Sequence, residues 1–118
     1  MQYLALIYGE EGRWGALSEA EREREMGEYM ALSQESVTVG GNELDSVATA
    51  TTVRVRGDET LVTDGPFAEL KEALGGYYVF ECETIDEACA LAARIPAARH
   101  GAIEVRPVHL DPEGEEPS

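Results

Sequence analysis

Gly75-Gly-Tyr-Tyr-Val-Phe-Glu-Cys82, followed by Glu83-Thr-Ile-Asp-Glu-Ala-Cys-Ala-Leu-Ala-Ala-Arg-Ile-Pro96, decides the fold. Tyr77 to Cys82 reads as a strand, because aromatic and β-branched residues fill it and a glycine pair precedes it. Thr84-Ile-Asp-Glu87 has the form of a capping box. The Thr84 hydroxyl accepts from the N–H three residues on, and the Glu87 carboxylate returns to the N–H at the cap. Ile85, Ala88, Leu91, Ala92 and Ile95 follow at helical spacing, and Pro96 stops the helix. Residues 102–108 then alternate, Ile103 and Val105 against Glu104 and Arg106, as a closing strand.

Toward the N-terminus the order strand, helix, strand occurs again without any repeat of sequence. Residues 2–8 are apolar on both parities, with Tyr3, Ala5 and Ile7 on one face and Leu4, Leu6 and Tyr8 on the other. A strand of that kind belongs in the middle of a sheet, covered on both sides. Gly9 to Gly15 is a loop carrying the lone tryptophan, Trp14. Ser18-Glu-Ala-Glu21 is another capping box, and Met26, Tyr29 and Met30 mark the expected buried stripe of a helix over 19–35. Val37 to Gly41 is a short strand running into a turn. Residues 50–56 and 60–64 form a hairpin around Gly57-Asp58-Glu59, with Val53 and Val55 on one face and Thr52, Arg54 and Arg56 on the other. Asp64-Gly65-Pro66-Phe67 breaks the second of these strands, since Pro66 has no N–H to donate. Phe67 is expected to plug the core.

The order β-α-β-(β-β)-β-α-β predicts an α+β, ferredoxin-like sandwich: a mainly antiparallel sheet with two helices on one face. Its other face carries too much apolar surface for solvent, which predicts sheet-to-sheet homodimerisation. The folded domain is expected over 1–110. From Asp111 the chain is proline, glycine and acid, and 111–118 reads as a disordered acidic tail.

Composition limits the partners. The chain has 118 residues, enough for one domain, and a formal charge of −15. That charge argues against nucleic acid, which needs clustered lysine and arginine, and against anionic membrane surfaces. Met1 to Tyr8 has no positive region ahead of its short apolar run, and no stretch approaches the ~20 apolar residues of a membrane helix, so a cytoplasmic protein is expected. Cys82 and Cys89 lack a metal-ligand spacing and read as two reduced, partly buried thiols. His100 and His109 stand apart from each other and from any nucleophile. No metal and no cofactor is expected, and the glycine pairs are too short for a phosphate-cradling loop.

The candidate chemistry lies in Val62-Thr-Asp-Gly-Pro-Phe-Ala-Glu-Leu-Lys-Glu72. Asp64 sits where a strand ends in a sharp turn. Its carboxylate either stabilises that turn or projects into a cleft as a catalytic group. Lys71 is the only lysine of the chain. It is either a counter-ion to Glu69, Glu72 or Asp64, or a binder of an anionic ligand. Glu72 is a candidate acid or base if burial raises its pKa. Arg54 and Arg106 occupy the polar parity of their strands, as does Glu104. Were those strands neighbours, the cluster would either grip a substrate carboxylate or form an ionic network at a dimer interface.

Three blocks occur in order: Asp64-Gly-Pro-Phe-Ala-Glu-x-Lys-Glu72, Gly75-Gly-Tyr-Tyr-Val-Phe-Glu-Cys82 and Gly101-Ala-Ile-Glu-Val-Arg-Pro107. With the N-terminal Met-x-Tyr-Leu-x-Leu-x-Tyr and Thr51-Thr-Val-Arg54, they make residues 1–108 resemble the YCII-related family in its DGPF-motif branch. The resemblance implies a dimeric α+β barrel, in which two sheets pack as a homodimer with a cleft between sheet and loops. For the wider family it implies an enzyme built on a His–Asp pair. Asp64 matches the aspartate of the branch motif, but no histidine follows the first strand. For the branch it also implies a link to extracytoplasmic-function sigma factors.

Three functions follow from these readings. One is an enzyme, live or degenerate, in which Asp64 and Glu72 act on a small anionic ligand held by Arg54, Lys71 and Arg106. Another is a non-catalytic regulatory module that meets a sigma factor through its acidic surface. The last is a dimer that binds no ligand.

Overall fold

The computed structural model describes residues 1–109. The tail expected over 111–118 lies outside the described residues. The first strand, β1 (Gln2–Gly9), is central, as its two apolar faces require. It pairs antiparallel with β5 (Ala73–Glu81) on one side and β6 (Ala102–Pro107) on the other, and β2 (Thr38–Glu43) pairs antiparallel with β5. The order β2-β5-β1-β6 gives a four-stranded antiparallel sheet. Tyr3 and Ala5 of β1, together with Tyr78 and Phe80 of β5, bury one face of it.

Two helices cover that face: α2 (Glu19–Ser33) and α3 (Ile85–Ala92). A four-residue helical turn, α1 (Arg13–Ala16), precedes them in the loop after β1. The Ser18–Glu21 capping box closes in full, with Glu21 N–H donating to Ser18 Oγ at 3.1 Å and Ser18 N–H donating to Glu21 Oε1 at 2.9 Å. At α3 only half of the expected box forms. Glu87 N–H donates to Thr84 Oγ1, while the Glu87 carboxylate accepts from Glu83 instead of from Thr84. Ala88 and Ala92 are the buried residues of α3, and their small side chains let the helix lie close on the sheet beside Ile95 and Ala97. Phe80 is fully buried and stacks on Tyr78 with ring centroids 5.7 Å apart. Burial of a side chain of this size stabilises by about 1.5–3 kcal/mol. The Tyr78 hydroxyl donates to the Tyr29 carbonyl at 2.9 Å, which fixes α2 to β5.

The helical stripe differs from the expected one. Met26 and Met30 are 46% and 52% exposed, and α2 instead buries Glu25 and Leu32, with Tyr29 packed against the core. The true stripe runs at i, i+4, i+7 from a glutamate, and apolar periodicity passes over it. Strand β5 begins at Ala73, four residues earlier than the aromatic run. Gly75 and Gly76 belong to its ladder, and at Gly76 the facing strand is too close for a side chain: a Cβ there would stand 2.9 Å from the Asn42 carbonyl oxygen. The helix α3 ends at Ala92, short of the expected stop at Pro96; Ile95 lies beyond it, and Pro96 instead opens a 3-10 turn, Pro96–Arg99.

The expected hairpin forms from β3 (Thr51–Arg56) and β4 (Glu59–Asp64), as a separate two-stranded sheet. Thr52 is its one residue that is not exposed. A 3-10 turn, Val47–Thr49, leads into it. Phe67, expected in the core, is 77% exposed on the loop between β4 and β5 and takes no part in the core, which Phe80, Tyr78 and Tyr3 fill from the main sheet. Cys82 is buried and Cys89 exposed, both as free thiols. Among the described residues no helix is long and apolar enough to cross a membrane.

Candidate functional site

The loop after β1 is the hub of the polar chemistry. Within four residues it sends side chains to three different segments. The Glu10 carboxylate meets Lys71 Nζ at 3.6 Å. The Glu11 carboxylate accepts from Ser46 Oγ at 3.1 Å and from Val47 N–H at 2.9 Å, which holds the turn leading into the hairpin. The Arg13 guanidinium donates to both Glu25 oxygens, at 3.0 and 2.7 Å.

Beside this loop opens a cleft of about 530 Å³ lined by Glu10, Leu70, Lys71, Glu72 and His100. Its walls come from three distant stretches of chain: the end of β1, the loop before β5, and the turn before β6. His100 is seated by its neighbours. Arg99 donates to both Glu28 oxygens of α2 at 2.9 and 2.8 Å. Gly101 lies so near the Tyr8 carbonyl that any side chain there would collide with it.

His100 is exposed; partial desolvation, and then Arg13, push its pKa below the ordinary imidazole value of 6.5, Glu25 and Glu72 act in the opposite direction, and Arg99 lowers it further. The imidazole is therefore neutral at pH 7, with one ring nitrogen able to accept a proton. Hydrogen bonding from Arg13 holds the Glu25 carboxyl below its usual range, against the desolvation that raises it.

Of the sequence candidates, Lys71 and Glu72 enter the cleft. Glu72 is half-buried and Lys71 well exposed, and the counter-ion of Lys71 is Glu10 rather than Glu69, Glu72 or Asp64. An exposed pair of this kind contributes little to stability, typically below about 1 kcal/mol, so Lys71 is available to a ligand. Asp64 ends β4, is exposed, and does not line the cleft. The turn after it is held by other groups. Gly65, at φ +98°, donates its N–H to the Ala50 carbonyl at 2.7 Å, and Thr52 Oγ1 donates to the Gly65 carbonyl at 2.8 Å.

Arg54 sits on β3 opposite Leu61, in the hairpin sheet, whereas Arg106 sits on β6 opposite Leu4, in the main sheet. The two arginines therefore lie in different sheets of one chain, and no common strand pairing joins them. His100, Glu10 and the Arg13–Glu25 pair were not reached from the sequence. Gly101, directly after a lone histidine, is the signal that a tight approach fixes that position. Among the described residues no cluster of His, Cys, Asp and Glu is arranged to hold a metal ion.

An antiparallel sheet with helices on one face and an open polar cleft at its strand ends defines a small α+β domain compatible with the ferredoxin-like plan. The model of the YCII-related domain matches residues 1–110. An uncharacterised protein of Rhizobium meliloti (strain 1021) is 40% identical over 126 aligned positions, which cover all of both chains. The chain belongs to the YCII-related family.

Proposed function

We propose that the protein is a homodimer of the DGPF branch in which each subunit binds a small polar molecule in the cleft beside β1, with His100 exchanging a proton with it next to Glu72. The observation that carries this reading is the lining itself: a neutral imidazole, a half-buried carboxylate and an available ammonium on one open cleft. General acid–base chemistry needs a group that can take up or release a proton within reach of the ligand, and the neutral imidazole of His100 offers a proton acceptor on the cleft. The lining carries two carboxylates for one lysine, so a purely anionic ligand fits it less well than one with both an acidic group for Lys71 and a hydrogen-bond donor for Glu72.

The dimer reading rests on the open face of the main sheet. Leu4, Leu6, Tyr77 and Val79 lie side by side there in the ladder, with Glu104 and Arg106 along the β6 edge. Arg106, Arg54 and Asp64 stay outside the cleft of a single chain, and a role for them at a ligand requires the second copy. The branch assignment rests on Asp64-Gly-Pro-Phe67.

Thermal melting against small carboxylates, amines and amino acids tests the cleft. A ligand at about 100 times its Kd stabilises by about 2.7 kcal/mol. A saturable rise in Tm that disappears in His100→Gln and in Lys71→Ala supports the site. An equal rise in both variants places the ligand elsewhere and overturns it. Salt-sensitive co-purification with a sigma factor is the outcome that favours a regulatory role instead.

A further inference from the structure

Every residue of the β3–β4 hairpin except Thr52 is exposed, although its alternation is that of strands with one covered face. The register sets Val53 opposite Val62 and Val55 opposite Thr60, so these four share one face. Val53, Val55 and Val62 are each at least 60% exposed. The other face carries Arg54, Arg56 and Glu59 around Leu61. A two-stranded hairpin by itself is at best marginally stable in water, and three valines in solvent make an open apolar face on it.

The root of the hairpin, by contrast, is fastened. Glu11 accepts from Ser46 Oγ and Val47 N–H ahead of it, Gly65 N–H donates to the Ala50 carbonyl, and Thr52 Oγ1 donates to the Gly65 carbonyl. These bonds fix where the hairpin leaves the body while its blade stays in solvent. They also place the root at the cleft end of the main sheet. Leu44 N–H donates to the Gly75 carbonyl where the chain leaves β2, and the return from β4 runs through Phe67 to Leu70, Lys71 and Glu72. Leu70 lines the cleft and is nevertheless 60% exposed.

We propose that the β3–β4 hairpin is an arm that grips a second copy of this chain: its valine face packs on the partner subunit, and the same partner covers Leu70 and so completes the wall of the cleft. The inference deepens the homodimer reading and rests on it. Charge selects the occupant. The chain carries −15, yet the face formed by Val53, Val55, Thr60 and Val62 has no ionisable group between the tip and Asp64 at its root. A basic partner is drawn instead to α2, where Glu19, Glu21 and Glu23 are exposed. Nucleic acid and anionic membranes are repelled by the chain as a whole. Two copies of so acidic a chain meet with least repulsion on a neutral surface. Size points the same way. A stable interface takes about 800 Å² from each partner. Leu4, Leu6, Tyr77 and Val79 on the open sheet face are already half-buried within their own chain, and the arm supplies exposed apolar surface that they lack. In a two-fold dimer both arms act at once.

The test is sedimentation velocity of the full-length chain over a dilution series, in wild type, Val62→Glu, Val62→Thr and Leu61→Glu. Leu61 adjoins Val62 on the same strand but faces the other way. Wild type sediments as a dimer, Val62→Glu as a monomer, and Leu61→Glu remains dimeric. Val62→Thr keeps a β-branched residue in the strand and carries the test if Val62→Glu disrupts the hairpin. It raises the dissociation constant at least about tenfold, since a two-fold dimer suffers the change twice. A monomeric wild type overturns both the arm and the homodimer and leaves the valine face to a different protein. Dimers that persist in both Val62 variants but dissociate in Leu6→Asp overturn the arm alone. Equal dissociation in Val62→Glu and Leu61→Glu overturns the assignment of the face. Lys71, the only lysine, has an 86% exposed side chain in the single subunit, so its acylation by an N-hydroxysuccinimide ester, read by peptide mass spectrometry, reports on the cleft wall. The reaction is slower in wild type than in Val62→Glu; equal rates overturn the claim that the partner completes the cleft.

Discussion

Gly101→Ala probes the seat of His100 directly. Gly101 is not in the left-handed region, so an alanine there meets no backbone strain. The obstacle is contact: its Cβ would collide with the Tyr8 carbonyl oxygen and stand 3.2 Å from Gly9 Cα. Both are backbone atoms of the central strand, which is paired on both sides and cannot rotate away as a side chain would. Overpacking of this kind typically costs about 1–3 kcal/mol, and unyielding neighbours place it near the upper end. The loss of unfolded-state entropy on replacing glycine by alanine returns about 0.4–1 kcal/mol. The net destabilisation is then about 2 kcal/mol, equivalent to a Tm lower by roughly 8 °C for a domain of this size. Gly75→Ala is the matched control, because the nearest atom to its Cβ is the Ile7 carbonyl oxygen at 4.0 Å. Calorimetry or circular-dichroism melting of the pair reads the difference. Equal Tm values in the two variants would refute the claim that close packing of residue 101 on β1 holds the turn. A fall confined to Gly101→Ala, with the His100 resonances displaced, is the predicted result.

Four further outcomes are expected. Leu32→Ala removes the largest buried side chain of α2, which is 1% exposed, and lowers the urea-unfolding free energy by about 3 kcal/mol. Ellman's reagent modifies Cys89 rapidly in the native protein and Cys82 only on unfolding, because Cys82 is buried and desolvation raises its thiol pKa. The carboxyls of Glu21, Glu25, Glu28 and Glu35 are held below the ordinary value of 4.5 in the fold, so their stabilisation is complete above 4.5 and is lost as pH falls through the lower folded values. His100, lowered from 6.5, adds a loss that begins as pH falls through 6.5, since the unfolded chain binds that proton first. Urea midpoints measured from pH 7 to pH 3 should therefore decline in two stages, and the Arg13→Gln/Glu25→Gln double variant should show a shallower acid limb. Finally, Leu6→Asp places a charge in the middle of the open apolar sheet face, and sedimentation should show the proposed dimer of the wild type replaced by monomer.

The sheet and its helices were legible because each strand announces its own surroundings. The two apolar faces of residues 2–8 required a central strand, and β1 is central. The capping serine of α2 was readable because its box is a local arrangement within four residues. Hairpin and order of elements followed from turn residues. The stripe of α2 was misplaced because a glutamate occupies it: Glu25 is buried only by virtue of Arg13, twelve residues back on a loop, and no periodicity of apolar residues registers that partner. Phe67 was misplaced for the reverse reason, since an aromatic residue beside a Gly-Pro turn looks like a core anchor until the loop's direction is known. The cleft was half legible. Lys71 and Glu72 stand in a conspicuous motif, but the groups they face, Glu10 and His100, come from opposite ends of the chain and meet only in three dimensions. The most prominent residue of that motif, Asp64, lies instead on the hairpin.

The titration of His100 in wild type and in Glu72→Gln tests the cleft most directly, because it asks whether these two groups share one electrostatic environment. Glu72 favours the imidazolium, so its neutralisation must lower a midpoint that already lies below 6.5. A further fall at His100 is the predicted result. A midpoint at or above the ordinary value, or one indifferent to Glu72, would contradict the site.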